Sequence, residues 1–191
     1  MAVATLHNFD VDHAWSCAKR DAYLKHFYQK YSLDGRYVFI DKTACSTLIQ
    51  KRLEVDTIMQ SMKTGASFCI EEKIERWPMN GRPRTNFALE TDSCTLPGKE
   101  QPGWMRYAKA DYLLYAFETE QGNLDTYFID FPQLRSWFWR VQSRYQSYTM
   151  DTSNRTRFKK VPIRDVVQSI RTTRYLVTSN GCQFVSRQGV A

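Results

Sequence analysis

Hydrophobic and polar residues alternate along two neighbouring stretches in the first half of the chain, residues 53–59 and 68–74. Successive side chains of a strand point to opposite faces, so the alternation predicts two strands. In the second stretch Glu71 and Lys73 share a face, opposite the apolar residues, and Asp56 lies on the polar face of the first. A glycine in the segment between them predicts a turn. The pattern therefore indicates a hairpin that gathers charged side chains on one face.

The rest of the chain is patterned as alternating strands and helices. Further strands are predicted at 36–41, 86–93, 109–117 and 126–129, and helices at 11–31, 132–145 and 162–174. Residues 155–160 are expected to form an edge strand or a loop. The tail from Ser179 is polar, and we expect it to fray. This order predicts one α/β domain over residues 1–191, with a mixed central β-sheet flanked by helices and a core spanning residues 10–176.

Composition limits the classes of protein to which the chain can belong. It has 191 residues, of which 42% are hydrophobic and 14% aromatic, and this argues against disorder. No apolar run has the length of a membrane span, and the N-terminus lacks a signal-peptide pattern, so we expect an intracellular, cytoplasmic protein with no membrane partner. The five cysteines are scattered without a C-x-x-C pair and are expected to be reduced thiols.

The net charge of +7 is unevenly distributed. Residues 132–191 hold eleven Lys and Arg against two acids, whereas residues 1–131 hold sixteen against eighteen. A basic C-terminal third can bind a polyanion, while acidic residues in the middle third hold a metal. This division of charge suits a protein that binds a polyanion and cleaves it with a metal. A basic surface that merely keeps the protein soluble is the alternative explanation.

Asp56 and Glu71 would converge if their strands are neighbours. Two carboxylates held together repel unless a hard cation lies between them, which predicts Mg²⁺, with Mn²⁺ as a substitute. A nearby Lys73 ammonium can orient a water molecule and offset charge on a phosphate, as a metal-dependent phosphodiesterase requires. The alternative is a surface ladder of salt bridges across a hairpin.

The spacing of these residues is similar to that of a known family. Asp56, fourteen residues and then Glu71-x-Lys73 resembles the active-site signature of the PD-(D/E)xK nuclease superfamily, which includes restriction enzymes, phage exonucleases and recombination nucleases. The chain departs from the pattern at Val55, where the motif has proline, and at Glu72, where an apolar residue is usual. The N-terminal helix also lacks the glutamate that many members carry. We expect Glu72 to point towards a sheet margin.

The resemblance implies a restriction-endonuclease-like fold and Mg²⁺-dependent hydrolysis of DNA, in a protein that a phage or mobile element could encode. Asp56 and Glu71 would bind the metal together with the backbone carbonyl of Glu72, and Lys73 would orient the attacking water. DNA is the expected partner, RNA is an alternative, and oligomerisation is left open. Glu90 and Asp41 are additional candidates for the metal shell. Glu90 is equally well explained as an exposed strand acid, and for Asp41 an exposed acid at the end of a strand is the commoner explanation.

Basic residues of the C-terminal third are the candidates for nucleic-acid contacts. Arg140 and Arg144 lie one turn apart on the predicted helix and can contact successive phosphates. The other candidates are Arg157, Lys159 and Lys160, which follow in the next segment.

Two other classes of function remain open at this point. One is a non-catalytic nucleic-acid-binding or inhibitory protein on a degenerate nuclease fold, which metal binding or cleavage would distinguish from an enzyme. The other is a basic interaction module that binds neither metal nor DNA.

Overall fold

The described chain alternates between strands and mostly short helices. The computed structural model describes residues 9–33, 36–40, 55–78, 80–150 and 154–188. The helices are α1 (Phe9–Lys19), a π-helical segment (Arg20–Leu24), α2 (Lys25–Leu33), α3 (Trp104–Tyr107), α4 (Phe131–Val141), a 3₁₀ turn (Gln142–Arg144) and α5 (Ile163–Ser169). The strands are β1 (Tyr37–Ile40), β2 (Thr57–Ser61), β3 (Ser67–Glu75), β4 (Asn86–Cys94), β5 (Gln101–Pro102), β6 (Tyr112–Glu118), β7 (Leu124–Asp130), β8 (Ser147–Thr149), β9 (Arg157–Pro162), β10 (Thr172–Thr178) and β11 (Gly181–Gln188).

Seven strands form a mixed sheet in the order β1-β2-β3-β6-β7-β10-β11. Strands β3 and β6 run parallel, and the other neighbouring strands described in this sheet run antiparallel. The helices lie on both faces, which confirms the predicted α/β class with a mixed central sheet. The cysteines at 17, 69, 94 and 182 are reduced thiols, as expected.

Strands β4 and β9 belong to a second sheet, of order β5-β4-β9-β8. β9 is therefore an interior strand, and the prediction of an edge strand or loop at 155–160 is wrong. Its register places Phe87 opposite Val161, and both side chains are fully buried against Tyr115 of the main sheet. Burial of Val161, together with pairing to β4 on one side and β8 on the other, explains how a segment rich in basic residues forms an interior strand.

The two faces of the main sheet bury different cores. Leu114 of β6 packs with Leu24 and Phe27 of the N-terminal helical layer. Leu113, on the opposite face, packs with the second sheet and with α4 and α5. In the parallel β3–β6 ladder Glu71 pairs with Leu113, so this glutamate faces the second sheet. The face of each β3 side chain thus decides which layer it meets.

The C-terminal segment forms a hairpin where a helix and a tail were predicted. α5 ends at Ser169, and β10 pairs with β7 from Thr172 opposite Ile129. β11 completes the sheet edge over Gly181–Gln188, so the expectation of a helix to residue 174 and a frayed tail is wrong. The β-branched and aromatic residues of 172–178 favour a strand once β7 offers its edge for pairing.

The close contact between β4 and the start of α3 can be tested at Gly103, which precedes this helix. A Cβ atom added there would lie 2.6 Å from the Glu90 carbonyl oxygen, so Gly103→Ala must displace backbone. We expect the free energy of unfolding to fall by ~1–3 kcal/mol, as for other overpacking substitutions. Urea denaturation measures it. Gly65→Asn is the control, because nothing lies within 4 Å of that position and asparagine tolerates its φ of +71°. Wild-type stability of Gly103→Ala would contradict the contact.

Candidate active site

Asp56 lies immediately before β2 and beside the strand that carries Glu71. Thr57 is opposite Ile70 in the β2–β3 ladder. The ladder ends at this pair, and Asp56 is the residue just before it. The Asp56 N–H donates to the Ile70 carbonyl at 2.8 Å, and the Glu72 N–H donates to the Asp56 carboxylate at 2.9 Å. These two bonds hold Asp56 against the backbone of β3, at the residues on either side of Glu71.

Glu71 is buried, with 1% of its surface exposed, and it forms an ion pair with Lys73. The Lys73 Nζ lies 2.6 Å from the Glu71 carboxylate and 5.3 Å from the centre of the Trp104 ring. Burying a carboxylate costs several kcal/mol unless a partner offsets it. Lys73 provides that charge and remains about one-third exposed. The ammonium is therefore held in place beside a buried acid while still reaching the surface.

Glu72 faces the helical layer behind this site, and the expectation that it points to a sheet margin is wrong. It is 8% exposed, and one carboxylate oxygen accepts hydrogen bonds from the Tyr28 hydroxyl at 2.5 Å and the Thr57 hydroxyl at 2.7 Å. The Arg20 Nε lies 3.2 Å from the other oxygen. Burial, followed by the Glu72 charge, raises the pKa of Tyr28 well above its usual value, so the phenol stays a donor. The side chain of Glu72 thus ties β3 to the first helices.

A groove of about 670 Å³ opens beside Lys73. Its walls are the end of β3, the following segment up to Asn86, and the outer face of β4 and β9. Among the residues that line it are five cationic side chains, Lys73, Arg76, Arg82, Arg84 and Lys160, and two carboxylates, Glu75 and Glu90. Aromatic rings of Trp15, Trp104 and Phe158 line it as well. The groove therefore offers a positive, partly aromatic surface next to the candidate site.

Glu75 continues the charged face of β3 into the groove. The Tyr115 hydroxyl donates to its carboxylate, and the Arg84 Nε lies 3.3 Å from it. Burial raises the pKa of Glu75 above its ordinary value, although the Tyr115 hydrogen bond and the charges of Arg84 and Lys160 act in the opposite direction. Glu75, Arg76, Arg82 and Arg84 are site residues that sequence reasoning missed. The alternation Glu71-x-Lys73-x-Glu75 and the Arg82-Pro83-Arg84 triplet were the available signals.

The remaining sequence candidates are distributed over different places. Glu90 lines the groove on β4, opposite Phe158 in the ladder. Asp41 lies outside the described residues. Of the basic set, Lys160 lines the groove, with its Nζ 4.3 Å from the centre of the Tyr148 ring.

The other four basic candidates do not line this groove. The Lys159 ammonium donates to the Tyr145 carbonyl at 2.9 Å, and the Arg157 Nη1 lies 3.8 Å from the Asp92 carboxylate. Arg140, in the last turn of α4, and Arg144, in the 3₁₀ turn that follows, are exposed. These two arginines form a separate basic surface.

Two carboxylates form the oxygen-donor set of the hairpin site. Mg²⁺ in proteins is commonly held by one or two carboxylates, with water and substrate phosphate completing its shell. Asp56 and Glu71 are the two carboxylates of the hairpin that could hold such an ion. In the part of the chain that the structure describes, no cluster of three or more His, Cys, Asp or Glu side chains is found.

Comparisons with known proteins give no relative from which a function could be transferred. No family model, curated protein or solved structure matches the chain significantly. Within residues that the structure describes, no helix has the length and apolar character needed to cross a membrane.

The raised pKa of Glu75 predicts that removal of its charge stabilises the folded protein, and that this stabilisation depends on pH. A carboxyl whose folded pKa lies above its ordinary 4.5 binds its proton more tightly in the folded state. Its ionisation therefore costs stability, and this cost develops as the pH rises from below 4.5 through the folded pKa. We expect Glu75→Gln to match wild type at low pH and to have a larger free energy of unfolding at neutral pH.

Chemical denaturation across this pH range measures the difference. Glu100→Gln, at an exposed carboxyl, is the control for the loss of one charge. Lower stability of Glu75→Gln at neutral pH would mean that the partners Tyr115 and Arg84 outweigh the cost of burial.

Proposed function

We propose that this protein is a metal-dependent nuclease of restriction-endonuclease-like fold that hydrolyses phosphodiester bonds of DNA. One observation carries the proposal. Asp56 and Glu71 lie in one hairpin, where the Glu72 N–H donates to the Asp56 carboxylate, and Lys73, paired with Glu71 at 2.6 Å, lines a groove rich in positive charge. The acid, glutamate and lysine of the motif thus belong to one hairpin beside this groove, which supports the proposal.

Each residue of the site has a distinct role in this proposal. Asp56 and Glu71 would hold Mg²⁺ together with the backbone carbonyl of Glu72, whose side chain is already engaged by the helical layer. A bound divalent cation polarises a phosphate and lowers the pKa of a coordinated water. Lys73 orients the attacking water and offsets the negative charge that develops on the phosphate. Its contacts with Glu71 and Trp104 restrict its position before a substrate arrives.

The groove supports a polyanionic substrate. Its five cationic side chains outnumber its two carboxylates, and they extend from the site strand to β9. Such a surface attracts phosphates and raises the rate of encounter with nucleic acid.

Two substitutions distinguish the binding of the metal by Asp56 from the orientation of the attacking water by Lys73. Asp56→Asn removes a charge but keeps an oxygen that can accept the Glu72 N–H, so we expect loss of metal uptake and cleavage with the fold intact. Lys73→Gln keeps a donor for Glu71, so metal uptake should persist while the cleavage rate falls ~10²-fold or more, as expected for a group acting on the attacking water or developing charge. Calorimetric titration with Mn²⁺ measures the first effect, and cleavage assays on a plasmid and on a labelled single strand measure the second.

Asp111→Asn is the matched control for the aspartate substitution. Asp111 also accepts a hydrogen bond from a β3 N–H, that of Cys69 at 2.7 Å. It directly precedes β6, the strand that flanks β3 on the side away from β2. Wild-type cleavage is expected for this variant. Absence of metal uptake by the wild-type protein, with and without DNA, would contradict the nuclease function. DNA binding without any cleavage would favour the non-catalytic alternative.

The exposed pair Arg140 and Arg144 is proposed to contact the phosphates of duplex DNA. We expect the double variant Arg140→Glu, Arg144→Glu to bind duplexes of any sequence more weakly than wild type. Each lost phosphate contact should lower the slope of log affinity against log salt by ~0.9. Fluorescence anisotropy at several salt concentrations measures this. Arg164→Glu, at an arginine whose side chain is 82% exposed on α5, is the control. Unchanged duplex affinity of the double variant would exclude this surface.

A further inference from the structure

We propose that the groove beside Lys73 binds a single DNA strand with its bases unstacked, so that the substrate is single-stranded DNA or a single-stranded segment of a larger DNA. This inference rests on the proposed nuclease function and specifies its substrate class. It follows from the size of the groove, from the chemistry of its walls and from its path to the candidate site.

The size of the groove suits one strand. Its volume of about 670 Å³ lies within the range of ~300–1,000 Å³ that is typical of sites for small molecules. Such a space can admit unpaired bases of one strand together with their phosphates. A duplex, which carries a second backbone and paired bases, would have to lie across the opening instead of within it.

Positive charge on two sides of the groove suits the phosphates of that strand. Arg76, Arg82 and Arg84 follow β3 on one side, and Lys160 projects from β9 on the other. The Arg84 side chain lies beside Glu75, and the charge of Lys160 also acts on that carboxyl. Contacts of this kind hold a backbone without reading its sequence.

Aromatic rings in the same walls suit exposed bases. The half-buried Phe158 ring stacks on Tyr148, with 5.8 Å between ring centres and 22° between planes. On the other side, the Arg76 guanidinium lies 4.7 Å from the centre of the Trp15 ring. Bases of a single strand can stack on such rings, whereas the bases of a duplex already stack on one another. The combination of rings and cations therefore favours a single strand.

The groove leads to the candidate site. Lys73 lines it, and the Lys73 ammonium lies 2.6 Å from the buried Glu71 carboxylate. A strand bound along the groove would thus bring one of its phosphates to the lysine that the proposed reaction uses.

The test compares single and double strands in a chelator, where binding is measured without cleavage. Fluorescence anisotropy with a labelled mixed-sequence oligonucleotide should show at least ~10-fold tighter binding of the single strand than of its duplex at equal salt, because only the unpaired bases can stack on the aromatic rings. Phe158→Leu keeps an apolar side chain but removes the stacking ring, so its single-strand affinity should fall ~10-fold while duplex affinity is unchanged. Phe184→Leu, at an aromatic residue 50% exposed on β11, is the matched control.

A second variant covers the case in which Phe158→Leu does not fold. Arg82→Gln, at an exposed position of the groove, should lower the slope of log affinity against log salt for the single strand by ~0.7 for its phosphate contact. Equal or tighter binding of the duplex by the wild-type protein would overturn the inference. Unchanged single-strand binding in the folded variants would overturn it as well.

The same proteins distinguish failure of this inference from failure of the proposed function. Mn²⁺-dependent cleavage of duplex DNA without preferential single-strand binding would leave the nuclease function intact and refute the single-strand groove. Preferential single-strand binding that depends on Phe158 and Arg82, without cleavage in Mn²⁺, would support the groove and refute the nuclease function.

Discussion

The burial of two adjacent carboxylates in β3 is the constraint on which the rest of the structure depends. Glu71 and Glu72 are nearly inaccessible to solvent and face opposite sides of the sheet. A buried charge requires partners on its own side, because desolvation costs several kcal/mol per ion. Lys73 offsets the charge of Glu71 on one side. Tyr28, Thr57 and Arg20 surround Glu72 on the other. A slip of one residue would exchange the two environments, so these pairs hold the register of the hairpin.

This constraint links the helical layer to the candidate site. The Glu72 side chain joins β3 to the N-terminal helices, while its N–H holds the Asp56 carboxylate. The same residue therefore positions a proposed metal ligand through its backbone and secures the helices through its side chain. This gives a physical reason for a glutamate where the resembling family usually has an apolar residue.

The groove depends on contacts between distant parts of the chain. The second sheet packs on the main sheet through Phe87 and Val161, and its outer face then stands opposite the segment that follows β3. Charges from the middle of the chain, such as Arg82, are thereby combined with Lys160 from the C-terminal third. The positive surface of the groove therefore combines residues from both parts of the chain and does not belong to the C-terminal third alone.

The alternation of polar and apolar residues, which repeats every two positions in a strand, was sufficient to predict the hairpin and the face on which its charged side chains lie. Alternation placed Glu71 and Lys73 on one face, and the turn between the two strands brought Asp56 into the same hairpin, because these relations span few residues. Tertiary structure decided the partners of Glu72, the interior position of β9 and the C-terminal hairpin. Each of these depends on pairing with segments far away in the chain: Tyr28 with Glu72, β4 with β9, and β7 with β10. Sequence periodicity does not indicate which distant strand will pair with a given strand, or which distant side chain will pair with a buried charge. Only the tertiary structure could establish these contacts.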